Sequence, residues 1–201
     1  MIRYQYDQCT HELLRDRYHK TLSEWCAQNG IKYTTEVPSM RMSNQRYSHV
    51  PGGDPCHDKL GFPMEKVIDR DFHIFRSNPK VISAMARQFD RRDCLVESFH
   101  SIGWSMTLQD AKWQIDRQTL MGISLHTFHG FYYTVDGITK HDAPPSQFFQ
   151  NPYWQHYRLF ADYCARSSRL ITETESMADV ALLHPATSWW THLRNPFSVF
   201  S

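Results

Sequence analysis

A glutamate closing a short apolar run is the chain's best candidate for chemistry. Cys94, Leu95 and Val96 lead into Glu97, and Phe99, His100, Gly103 and Trp104 follow before a helix expected from Thr107. In parallel α/β sheets and barrels, the carboxyl ends of strands present the reacting side chains. A carboxylate there can give or take a proton, and aromatic faces with a histidine beside it suit the cleavage of a carbohydrate. A second reading stays open from the residues alone: Glu97 paired with a nearby arginine at a strand end.

Other candidates sit where the neighbouring strands are expected to end. His126 and His129 flank the tip of a strand expected over 123–128; a neutral imidazole offers a sugar hydroxyl one donor and one acceptor. A strand does not place i and i+3 on one face, so substrate contact or packing is expected of this pair rather than metal binding. Trp104 is either a stacking platform for a sugar ring or core. His100, Tyr132 and Asp142 fall in loops after strands and are candidate pocket residues. Cys94 reads as a buried thiol, and Cys56-His57-Asp58 as a weak metal cluster in a loop. No metal site and no cofactor are expected, and no motif supports a structural divalent cation.

The elements that must hold these residues alternate. Thr10 to Gln28 has helical apolar spacing with Asn29-Gly30 as its stop, and 31–37 is rich in strand formers, with Glu36 at its tip. Residues 39–76 read as a long polar loop containing Pro51-Gly-Gly53 and a weak strand signal at 66–68. Asn78-Pro79 opens a helix, Cys94 to Ser98 is a strand, and Thr107 with Asp110 forms a capping box. Asn151-Pro152 starts a long helix to about residue 170, and Asp179 to Leu183 reads as an apolar strand.

Helices alternating with strands imply an α/β fold with a parallel sheet. No glycine-rich phosphate loop occurs, which argues against a doubly wound nucleotide-binding sheet. A (β/α)8 barrel fits better, yet a full one takes about 250 residues and the chain has 201. The expectation is therefore a partial TIM barrel, its C-terminal half, over 1–178, with 179–201 beginning a following, truncated segment.

The net charge of +1 lacks the basic footprint of a nucleic-acid binder, and no apolar run is long enough for a membrane span. Five scattered cysteines and no signal-peptide pattern favour reduced thiols and a cytoplasmic location.

The segment Val96-Glu97-Ser98-Phe99-His100-Ser101-Ile102-Gly103-Trp104, then Thr107 to Asp110 and Lys112-Trp113, resembles the C-terminal half of the barrel in large bacterial glycoside hydrolases of the α-L-rhamnosidase type (glycoside hydrolase family 106 and relatives). Gly122 to His129, Asp142-Ala-Pro-Pro-Ser146 and Asn151-Pro-Tyr-Trp154 extend the likeness. It is good from about 93 to 185 and looser from 3 to 37. It implies hydrolysis of a glycosidic bond by two carboxyl groups, with Glu97 as the general base that activates water. The acid would lie about 6.5–9.5 Å away, on an earlier strand. That strand would precede Met1, which makes Glu36 a candidate substitute, although relatives more often carry Gly, Gln or His there.

Two further readings stay beside it. In a β-galactosidase-like retaining enzyme Glu97 would be the nucleophile, with its acid about 5–5.5 Å away. A truncated piece without activity, binding sugar or nothing, is the other. The expected partners are a carbohydrate and either a missing N-terminal barrel half or a second copy of the chain, because a half-barrel leaves edges and an apolar face uncovered.

Overall fold

The computed structural model describes residues 2–36, 42–55, 78–138, 144–183 and 186–191. Four parallel strands form its sheet: β1 (Thr34–Thr35), β2 (Val50–Gly53), β3 (Leu95–Ser98) and β4 (Leu125–Phe128), side by side in sequence order. Ahead of them, α1 (Ile2–Leu13) runs through a π-helical turn at Leu14–His19 into α2 (Lys20–Gln28). The helix thus begins well before Thr10. The Thr10 hydroxyl donates back to the Tyr6 carbonyl at 2.9 Å instead of capping a start.

Between the strands lie α3 (Pro79–Gln88) and α4 (Leu108–Leu120), and beyond β4 come α5 (Tyr157–Thr172) and α6 (Ala186–Thr191). Helix α3 begins as its sequence requires, with proline in the first turn and the Asn78 side chain accepting from Lys80 N–H at 2.8 Å. The capping box of α4 is complete: Thr107 and Asp110 each accept from the other's backbone N–H.

Alternation along β3 decides which side chains meet helices. Cys94 and Val96 pack with Ile82, Ala86 and Ile123, and Ser98 donates to Gln118 of α4 at 2.8 Å. Leu95 and Glu97 therefore project from the opposite face, level with Leu125 and Thr127 of β4. A second apolar cluster joins Phe99, Met106, Ala111, Ile115, Tyr157, Phe160 and Cys164, so α4 and α5 bury the root of the loop that follows β3.

Strand β2 departs from the sequence reading, which placed Val50-Pro-Gly-Gly53 in a loop. All four residues are buried, and Gly52 N–H donates to the side chain of Gln45. Burial and a side-chain partner replace the strand propensity this segment lacks. The expected strand at Asp179–Leu183 is also corrected: it lies in no helix or strand, and Leu182 and Leu183 are more than nine-tenths exposed. Apolar composition signals a need for burial, and no sheet edge meets that need here. The weak strand at 66–68 and the Cys56-His57-Asp58 cluster lie outside the described residues. No helix among the described residues is long and apolar enough to cross a membrane.

Candidate functional site

Three acidic residues leave the sheet at its carboxyl edge. Thr35 pairs with Pro51 and Gly53 with Val96, so Glu36 and Asp54 emerge just beyond β1 and β2, and Glu97 lies near the end of β3. The Glu36 carboxyl group lies within hydrogen-bonding reach of Glu97. Strands β1 and β3 are not neighbours, and two strand spacings amount to about 9.6 Å. The pair meets across β2, where the residue level with Glu36 on this face is Gly52, which has no side chain to intervene.

A hydrogen bond between two carboxyl groups needs a proton on one of them. Glu97 is the group whose affinity for a proton is enhanced, pushed up to about 8. Loss of surrounding water is the largest cause. The hydrogen bond that protonated Glu97 donates to Glu36 comes next, then the negative charges of Glu36 and Asp54. The arginine partner considered from the sequence is thus replaced by a carboxyl group. Glu36 is in this position a neighbour that raises the proton affinity of Glu97.

The loop after β3 is bent to fit. Phe99 (φ 78°) and Ser101 (φ 57°) adopt left-handed backbone conformations, which costs of order 1–3 kcal/mol at each non-glycine residue. Burial of the Phe99 ring, which is 4% exposed, holds that geometry. The loop after β4 is stitched to it: His129 N–H donates to the Ser98 carbonyl at 2.9 Å, and Gly103 N–H to the Pro144 carbonyl at 2.9 Å.

These contacts gather several expected residues. The His100 and His129 rings stand edge to face at 5.0 Å, and Tyr132 stands edge to face with His129 at 6.0 Å. Tyr132 is fixed from behind, its N–H donating to Ser146 Oγ at 3.2 Å and its carbonyl accepting from Gln150 at 2.8 Å. Trp104 is 41% exposed at the end of the β3 loop, so it is not core.

His126 is placed elsewhere. It shares a face with Val96, and its Nδ1 meets Gln118 Oε1 of α4 at 3.1 Å. Burial there pushes it down to about 4, so it is neutral at ordinary pH. The expected substrate contact by His126 is therefore corrected: strand alternation turns it to the helix side, away from Glu97. Asp142 lies outside the described residues. Among the described residues, no group of three or more His, Cys, Asp or Glu side chains is arranged to hold a metal ion.

Asp54 was missed in the sequence because its strand was. The signal was present as an acid directly after two glycines, but Pro51 masked the strand.

No family model and no curated protein matches the sequence. Among solved structures, the chain is similar to one described as the structure of rhamnosidase from Novosphingobium sp. PP1Y, with a TM-score of 0.67 and 17% identity over 85% of this chain. The chain spans 17% of the length of that protein. At this identity the likeness is one of fold: a parallel four-stranded α/β sheet that matches part of a much larger molecule.

Proposed function

We propose that this chain carries the proton-transfer part of a glycoside hydrolase site of α-L-rhamnosidase type, on a partial (β/α)8 barrel, with Glu97 as its catalytic carboxyl group. The observation that carries the reading is the Glu97–Glu36 pair at the carboxyl edge of a parallel sheet. The solved rhamnosidase supports the same class through its fold, and the aromatic and histidine-bearing loops beside the pair support a sugar as ligand.

The pair modifies the role expected of Glu97. A carboxyl group that holds its proton up to about pH 8 is poorly suited to accept one from water at neutral pH. It suits a general acid, which must remain protonated until the glycosidic oxygen begins to leave. Glu97 donates that proton, the oxygen departs as an alcohol, and Glu36 with Asp54 supplies the negative charge that keeps the proton in place beforehand. His100, His129 and Tyr132 contact sugar hydroxyls and Trp104 the apolar ring face. A second carboxylate, outside these residues, activates water on the opposite side of the ring.

Nitrophenyl glycosides test the class. The chain is expected to release nitrophenol from the α-L-rhamnoside in preference to the β-D-galactoside, and Glu97→Gln to lose at least about a hundredfold of that rate. If the chain cleaves neither, calorimetric titration with L-rhamnose decides. Binding weakened by His129→Ala supports the sugar site, and absence of both cleavage and binding overturns it.

A further inference from the structure

Glu36 reaches Glu97 from a strand of only two residues, so something must hold its carboxyl end. The other end is anchored: Tyr33 N–H donates to His49 Nδ1 at 2.8 Å, and Tyr33 OH lies 2.7 Å from His19 Nδ1. On the site side the fixed point is Gln45, 2% exposed in the 3-10 turn Met42–Tyr47. Its Nε2 donates to the Gly52 carbonyl at 2.8 Å and lies 3.4 Å from the Thr35 carbonyl, while its Oε1 accepts from Gly52 N–H at 3.3 Å. One amide therefore grips β2 and also β1, one residue before Glu36. Two carbonyl oxygens and an N–H call for both a donor and an acceptor, which neither a carboxylate nor an apolar side chain of that length supplies.

Gly52 makes the grip close. A Cβ there would lie 2.7 Å from the Thr35 carbonyl oxygen and 3.0 Å from Thr34 Oγ1, so any other residue would push β1 outward and carry Glu36 with it.

We propose that Gln45 is the positioning residue of the Glu36–Glu97 pair, clamping the ends of β1 and β2 so that the Glu36 carboxyl group meets Glu97 over Gly52 of β2. The proposal rests on the site described above, and Gln45 itself acts only through Glu36. Among the described residues, the charged groups acting on Glu97 are Glu36 beyond β1 and Asp54 beyond β2; its register partner on β4, Thr127, does not ionise.

Carbon-detected NMR titration of the glutamate carboxyl groups in the full chain tests it. In the unaltered protein one glutamate should titrate at about 8. In Gln45→Met that midpoint should fall by more than about one pH unit while amide dispersion stays native-like, and Glu36→Gln should lower it at least as far. A folded Gln45→Met with the midpoint unmoved, beside a Glu36→Gln in which it falls, overturns the positioning role and leaves the pair standing. A midpoint unmoved in Glu36→Gln removes the pair, and the proposed site with it. If Gln45→Met does not fold, Gly52→Ala displaces β1 by the other route. A folded Gly52→Ala with an unchanged midpoint then overturns the proposal, and a lowered one supports it.

Discussion

Glu97 and Glu36 come within hydrogen-bonding reach of each other from strands that are not adjacent, meeting over Gly52 of the strand between them. Glycine at position 52 removes one side chain that would separate the acids, and partial burial removes water that would otherwise screen them.

That relationship fixes the sign of a pH effect. Between its ordinary 4.5 and about 8, Glu97 keeps a proton in the folded chain that it loses in the unfolded one. Its contribution to stability is full below 4.5 and is lost as pH rises through 8. His126 acts oppositely: held near 4 against an ordinary 6.5, it contributes fully above 6.5 and loses this as pH falls toward 4. The two offset each other between about 4.5 and 6.5, leaving a decline from 6.5 to 8. Urea midpoints across this range should show that decline in the unaltered protein, and Glu97→Gln should flatten it. A decline that persists unchanged in the variant contradicts the assignment.

Asp54 acts on Glu97 by charge alone, the smallest of its causes. Asp54→Asn should lower the Glu97 midpoint by less than Glu36→Gln does, read in the same NMR titration. An equal or larger fall would give Asp54 the central role instead.

Gln118 ties both site strands to α4, accepting from Ser98 Oγ at 2.8 Å and meeting His126 at 3.1 Å. Gln118→Leu leaves those two buried groups without their acceptor and should cost about 2–4 kcal/mol in equilibrium unfolding. A loss under about 0.5 kcal/mol would mean that water or a neighbour takes over.

Phe99 combines a buried ring with a left-handed backbone. Phe99→Ala should destabilise by about 3–5 kcal/mol. Phe99→Gly loses the same ring but relieves the backbone, so it should be the more stable of the two by about 1 kcal/mol in urea unfolding. The reverse order would show that the loop relaxes out of this conformation.

Sequence showed some of this and hid the rest for physical reasons. Asn78-Pro79 and the Thr107–Asp110 box announce their helices because a cap is a local bond between near neighbours. β3 and β4 show as apolar runs because helices bury one of their faces. Val50-Pro-Gly-Gly53 could not be read as a strand, since what holds it is burial and the distant Gln45 amide. With it went Asp54 and the means by which Glu36 reaches Glu97. That Glu97, His100 and His129 stand at or just beyond strand ends was legible, whereas the face of His126 needed the register that places it level with Val96.

The most direct test of Glu97 as the proton donor compares two leaving groups. A dinitrophenoxide departs without help, while a phenoxide needs a proton in the transition state. Glu97→Gln should slow cleavage of phenyl α-L-rhamnoside by about 10²–10⁴-fold and leave the dinitrophenyl rhamnoside nearly as fast as before. An equal loss on both substrates would contradict proton donation and return Glu97 to the role of base or nucleophile.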